Sequence, residues 1–532
     1  MAVSEDAGNP TSLHSRFDPD KEARRFLERE IDSDEVSTAL LIAPGMNYLG
    51  KAVRERWPAA KIVSLFGSRQ TAQEQVAGGA LSWHPELGIE PATFLRRVLR
   101  EEDVLRLHLL VWPPAQRRYP DITARLLELS AAEVGHLSAG FATVAASGQR
   151  WVRNAAFHRA VLSPGRGGLL RRGRHSVVIA AAGPSLEDSL EKLKRRRHEL
   201  ELWALPSAIL PLATRGMVPD LVVTSDPGFY ARAHLRNAGL RAIACSAPIT
   251  ASRNLAEMEG PLALFSNGTP LERSLMDQSG FPRVAENGSV AGIALDLALM
   301  LDRNPIVFAG LDGCTRDIRS HARPSELDPF VVAGTGRFFP GEQAWLERVI
   351  GMSPRGSSIP TPRVSPALEE YAAWFRRRCR ELPGRVYRVR PTAVDYGVPE
   401  IALDAIPSIS EAARALPLVE EPPNVGAAEE SSRTAGDSAG GPAADASPGI
   451  HKLVGILRRL TGEELHTVLT EEAGRRLAGL PRSDRGDLLF VSATRSYSRA
   501  LLEPTPENLR RLEEDLGELT RRLMRYEGAV TP

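Results

Sequence analysis

Val177-Val178-Ile179-Ala180-Ala181-Ala182-Gly183-Pro184-Ser185-Leu186 decides how this chain is read. An apolar run ends in small residues, passes through Gly-Pro, and enters a helix-compatible stretch at Leu186–Arg197. A strand that is apolar on both faces belongs in a covered, parallel sheet. Small residues in the turn let a ligand approach the backbone. Ser185 is of the type that caps helices, and free N–H groups at a helix start favour an anion. Ala182, Gly183, Pro184 and Ser185 are therefore the candidate phosphate- or nucleotide-binding residues.

Working outward, the same alternation continues. Strands are predicted at Leu200–Leu205, Leu221–Thr224, Ala242–Cys245, Leu262–Phe265 and Pro305–Phe308, with a helix at Ser289–Leu301. Upstream, a helix is predicted over Pro19–Glu30, capped by Asp18 or Asp20. Strands follow at Thr38–Ala43, Lys61–Leu65 and Leu107–Trp112, then helices at Asp121–Ser147 and Trp151–Leu162. The stretch from Ser163 to Arg174 reads as a linker, and 313–363 as a long, partly ordered excursion, either a functional lid or disordered. A helix at Pro366–Arg380 follows. The expected fold class is α/β: tandem Rossmann-like domains with mostly parallel sheets, and a C-terminal helical module after a disordered linker. The expected boundaries are 1–15 disordered, 16–165 the first domain, 166–404 the central domain with a following helical region, 405–449 the linker, and 450–532 the module, with helices at Ile450–Arg459, Gly462–Gly479 and Pro506–Tyr526.

Composition narrows the function classes. The 532 residues carry a formal charge of +1, so the chain as a whole does not read as a nucleic-acid binder. Its three cysteines, Cys245, Cys314 and Cys379, are far apart and fit no zinc spacing; they read as buried free thiols of a reducing compartment. The start is polar, without the apolar core of a signal peptide, and no run approaches the ~18 apolar residues of a membrane span. The expected location is the cytoplasm.

Three further places fall near the ligand edge of the central sheet, outside the carboxyl ends of its strands. Asp226, in Thr224-Ser225-Asp226-Pro227, either binds a ribose, a substrate hydroxyl or a cation, or caps the following helix. Ser289, in Asn287-Gly288-Ser289-Val290, either contacts a ligand or is a plain cap. Asp312, in Gly310-Leu311-Asp312-Gly313, and the later His321 are candidates for ligand contact and acid–base work. The run Lys192–His198 reads as a solvated helix end, and Gly334-Thr335-Gly336 as an uninformative loop. No Ser-His-Asp triad can be assigned.

Taken together, these motifs resemble a known family. Leu13-His14-Ser15-Arg16-Phe17-Asp18-Pro19, Ala182-Gly183-Pro184-Ser185-Leu186, Pro219-Asp220 with Asp226, Gly288-Ser289-Val290-Ala291, and Gly310-Leu311-Asp312 with His321-Ala322 look like the Maf (motility-associated factor) proteins over residues 13–400. The central part is also similar to the 6-hydroxymethylpterin diphosphokinases. The resemblance implies a cytoplasmic glycosyltransferase that moves a nonulosonic, sialic-acid-like sugar from a CMP donor to Ser or Thr of flagellin. It implies that Gly183, Pro184 and Ser185 hold the donor phosphate, that Asp226 and Asp312 orient hydroxyls, and that His321 is a general base. Sialyltransferases carry an asparagine in the turn where this chain has Ala182. The runner-up is a pyrophosphokinase using ATP and magnesium, with Asp226 and Asp312 as cation ligands. A third reading is a non-catalytic nucleotide-binding scaffold or chaperone for flagellar proteins.

Overall fold

A computed structural model of the chain describes residues 13–33, 35–68, 81–161, 167–235, 243–272, 281–284, 288–355, 361–420, 457, 460 and 462–527. Of the disorder expected at 1–15, residues 1–12 lie outside the described residues, as do 421–449 and the helix expected at 450–459 apart from position 457; residues 13–15 are instead ordered, with Leu13 buried and the Ser15 N–H donating to Glu22 Oε2 at 2.8 Å. The chain forms two compact units: residues 1–149 with 455–522, and residues 150–454 with 523–532.

The first unit is built on four parallel strands: β1 (Thr38–Ile42), β2 (Lys61–Leu65), β3 (Leu81–Trp83) and β4 (Leu107–Val111), in the order β3-β2-β1-β4. Every residue of β1 and β2 is buried, which explains why both read as unbroken runs. The helix Pro19–Glu30 begins where expected, with the Asp18 side chain accepting the Lys21 N–H at 2.8 Å. One helix, Pro120–Val161, replaces the two predicted around Gly148. The glycine is there for packing: a Cβ on Gly148 would lie 2.3 Å from the Val491 carbonyl oxygen.

Four C-terminal helices, Gly462–Leu477, Asp484–Ser492, Thr494–Leu502 and Pro506–Glu527, follow. The first helix and the turn after it supply charges that the sheet end needs. Lys61 Nζ is 2.8 Å from Asp103 Oδ2, both side chains fully buried, and Arg476 Nε is 2.6 Å from Asp103 Oδ1. Burial pushes the Lys61 ammonium below its usual range, against the pull of Asp103. Arg482, 4% exposed, reaches Glu101 at 2.8 Å, Glu102 at 2.5 Å and Asp487 at 2.8 Å, and stacks over Phe490. Arg100 bonds Glu472 at 3.1 Å.

The second unit holds a nine-stranded sheet. Its strands are β5 (Gly167–Leu170), β6 (Val177–Ala180), β7 (Glu201–Ala204), β8 (Leu221–Val223), β9 (Ala244–Ala247), β10 (Leu262–Leu264), β11 (Ile306–Ala309), β14 (Val386–Arg388) and β15 (Val419–Glu420). Their order is β14-β11-β6-β7-β8-β9-β10-β5-β15, and all pairs are parallel except β5 with β15. The remaining strands, β12 (Ser353–Pro354) and β13 (Arg363–Val364), form a small antiparallel pair. Apolar clusters cover both faces, one centred on Trp203, Phe308 and Phe375, the other on Leu186, Leu202 and Ile209. The three cysteines are free and buried.

Several sequence expectations need correction. Part of the predicted linker before Arg174 is β5, because its backbone pairs with β10 and β15. Residues 405–420, placed in the predicted linker, carry the helix Glu411–Ala415 and β15. The excursion at 313–363, expected to be partly ordered, holds the helices Asp328–Val332 and Gly341–Ile350, in keeping with that expectation.

Beyond β9 and β10, the fully buried Glu272 ties two loops together. It accepts the Thr250 hydroxyl at 2.5 Å and the Asn267 N–H at 2.8 Å. Burial raises its pKa to about 7, against the lowering effect of these bonds.

Two predictions follow from these buried charges. Arg482→Met removes the cation that Glu101, Glu102 and Asp487 share and should cost about 3–5 kcal/mol, read by denaturant unfolding. Because Glu272 titrates higher folded than unfolded, its contribution is full below about pH 4.5 and is lost as pH rises through about 7. Glu272→Gln should flatten the melting temperature between those pH values; an unchanged slope refutes this.

Candidate functional site

The turn after β6 is shaped by a carboxylate. Asp312 follows β11, the neighbour of β6. The Ser185 N–H donates to Asp312 Oδ2 at 2.7 Å, and the Ser185 hydroxyl donates to Oδ1. Ser185 is therefore not the N-cap that its position suggested. The cap position belongs to Gly183, and Ser185 lies inside the 3-10 helix Pro184–Ser189. The Gly183 N–H donates to the Gly310 carbonyl at 2.9 Å, and the Leu186 N–H to the Gly183 carbonyl at 2.9 Å. Pro184 has no N–H. The N–H groups from Gly183 to Leu186 are thus all engaged within the protein. An anion bonded to the Ser185 N–H would have to displace Asp312.

Glycine is required at two positions here. A Cβ on Gly183 would lie 2.5 Å from both Asp312 Cγ and the Gly310 carbonyl oxygen. Gly310 has φ of +77°, and its Cβ would lie 2.3 Å from the Ala181 carbonyl oxygen. Asp312 is 5% exposed; burial raises its pKa, while the Ser185 bonds and Arg316 pull it down.

The loop after Asp312 folds back over the turn. Arg316 pairs with Asp188 at 2.7 Å and Arg319 with Glu187 at 2.8 Å. The Ala322 N–H donates to the Ala182 carbonyl at 2.8 Å. That bond sets the neighbouring His321 beside the turn. Its Nδ1 is 2.8 Å from Ser320 Oγ. Burial depresses the His321 pKa, with Asp328 raising it and Arg348 lowering it, so the ring is neutral near pH 7.

These residues surround a cavity of about 190 Å³. Ala182, Gly183, Ser289, Asp312 and His321 line it together, with Ser207 and Tyr371. Ser289 caps the helix Val290–Met300 by accepting the Gly292 N–H at 3.1 Å. Pro184 and Ser185 lie behind the lining, buried. Asp226 is elsewhere: it is exposed, accepts the Gly228 N–H at 2.6 Å, and does not line this cavity. Asp226 and Asp312 therefore do not converge as a cation-binding pair. Among the described residues, no group of three or more His, Cys, Asp or Glu could hold a metal ion.

Two features escaped sequence reasoning. Ser207 arrives from the turn after β7, with no motif to flag it. His234, 8% exposed, has no partner for Nδ1. Its pKa falls to about 4, mainly through burial and then through His321, against Asp226.

The family model for 6-hydroxymethylpterin diphosphokinase MptE-like proteins matches residues 161–317, so the chain carries an MptE-like domain. A MAf glycosyltransferase from Magnetospirillum magneticum AMB-1 superposes over 96% of this chain and 84% of its own, with a TM-score of 0.56 and 11% identity. The chain has a Maf glycosyltransferase-like fold. An uncharacterized protein of Treponema pallidum (strain Nichols) is 25% identical over 123 residues, 23% of this chain. The match spans 58% of the length of that curated relative. Among the described residues, no helix is long and apolar enough to cross a membrane.

Gly183→Ala should force Asp312 off Ser185 and cost about 1–3 kcal/mol by overpacking. A melting temperature equal to that of the unsubstituted protein would show that the turn tolerates a methyl group.

Proposed function

We propose that this protein is a glycosyltransferase that moves a nonulosonic acid from a CMP donor to a Ser or Thr hydroxyl of flagellin. The supporting observation is the cavity where Ala182, Gly183, Ser289, Asp312 and His321 meet, within a fold shared with a Maf glycosyltransferase. Small residues on the cavity floor admit a nucleotide, and the hydroxyls of Ser207 and Ser289 face its phosphate. Asp312 orients a substrate hydroxyl, and Ser185 is the positioning residue that fixes Asp312. The neutral His321 takes the proton of the acceptor hydroxyl as its oxygen bonds to the anomeric carbon. The bond to phosphate breaks and CMP leaves with the electron pair. In this reading Asp226 acts from outside the cavity, through its influence on His234. Residues 16–165 and 450–532 engage the acceptor protein, and the reaction takes place in the cytoplasm before export.

The MptE-like match favours a second reading, pyrophosphoryl transfer from ATP with magnesium. Thermal shift separates the two. A ligand at a hundredfold excess over its Kd stabilises by about 2.7 kcal/mol. CMP alone should raise the melting temperature, and Ser185→Ala should reduce that response by releasing Asp312. His321→Ala should retain the CMP response and lose about 10²–10⁴-fold in transfer rate. A response only to ATP with magnesium favours the kinase, and none to either favours a scaffold.

A further inference from the structure

A second cavity, of about 320 Å³, adjoins the first and shares Ser320 and His321 with it. Its other walls come from the segment after Asp312: Asp317, Arg319, Arg323, Asp328 and Trp345 are among them. His321 therefore forms part of the wall between two chambers. One chamber presents the turn after β6 and Asp312; the other presents charged groups of both signs and an indole.

Outside the second chamber lies an apolar patch. Asp328 opens the helix Asp328–Val332, which also carries Phe330. Phe330 packs edge-on against Phe229 at 5.6 Å and Tyr230 at 5.9 Å, ring centre to ring centre. The three rings nevertheless stay 41%, 61% and 51% exposed, respectively. Clustered exposed aromatics next to a cavity are the composition of a protein-binding hot spot. A polypeptide that leaves the second chamber past Asp328 and runs over the helix Asp328–Val332 covers these rings. The mixed lining of Arg319, Arg323, Asp317 and Asp328 suits a peptide backbone, which offers both donors and acceptors. The four charges cancel, so this lining does not select an anion.

We infer that the second cavity is the acceptor subsite. It takes a polypeptide segment whose Ser or Thr hydroxyl enters beside Trp345 and reaches His321 through the shared wall, while a flanking apolar side chain covers Phe229, Tyr230 and Phe330. This assignment rests on the glycosyltransferase reading for the chemistry at His321, but the surface itself can be tested without a donor.

The test uses the full-length protein and purified unglycosylated flagellin, with binding measured by interferometry and no nucleotide present. The double variant Phe229→Ser/Phe330→Ser and the single variant Trp345→Ala should each weaken the flagellin Kd at least tenfold, while the stabilisation by CMP persists. All the altered side chains are partly or largely exposed, so both variants should fold. Flagellin affinity within twofold of the unsubstituted protein overturns the inference. So does a Trp345→Ala variant that loses its CMP response instead, because the second chamber would then belong to the donor. The two readings fail separately: flagellin binding is read without donor, and the CMP response without acceptor.

Discussion

The carboxylate of Asp312 has almost no contact with solvent, yet it sits at the edge of a sheet where strands end and backbone donors are available. A buried carboxylate must find hydrogen-bond donors, since an unpaired one is costly. It finds two on one residue, the N–H and hydroxyl of Ser185. This contact brings the chain so close that Gly183 and Gly310 can have no side chain. It fastens the ends of β6 and β11, which run in parallel register. The loop leaving Asp312 is then held on the 3-10 helix by Glu187 and Asp188, and His321 is placed by its neighbour's bond to Ala182.

Electrostatically, this site is quiet. The histidine at the wall is neutral because it is buried, and His234 beside it is held more firmly neutral. The arginines of the overlying loop are paired with carboxylates on the 3-10 helix. Such partly exposed pairs contribute little singly; their role is to fix the path of the loop. The cavity presents hydroxyls, small residues and one carboxylate rather than a field of positive charge.

Much of the fold was legible because buried parallel strands are written as short apolar runs between turn residues. Lys61–Leu65 and the helices Pro19–Glu30 and Pro366–Arg380 have the bounds that the sequence predicts. Local rules failed where a distant partner decides. Ser185 looks like a cap, but Asp312, 127 residues away, claims its donors. Gly148 looks like a break, but it admits the backbone of Val491. β5 has a composition unlike a strand and exists through its pairing. At the site, Asp312, Ser289 and His321 could be named from turn chemistry. Ser207 and His234 could not, since nothing around either marks the fold that brings it there.

The first unit is closed by residues from opposite ends of the chain. During synthesis Lys61, Glu101, Glu102 and Asp103 leave the ribosome long before Arg476 and Arg482 exist to pair with them. Domains generally fold as units, N-terminal parts first. Here the order is reversed: residues 150–454 emerge complete while the earlier sheet still waits for its counter-charges. A ribosome that stops short of Arg476 would release a central unit with all its strands beside a first unit with uncompensated buried charge. Quality control could recognise such a product by that charge.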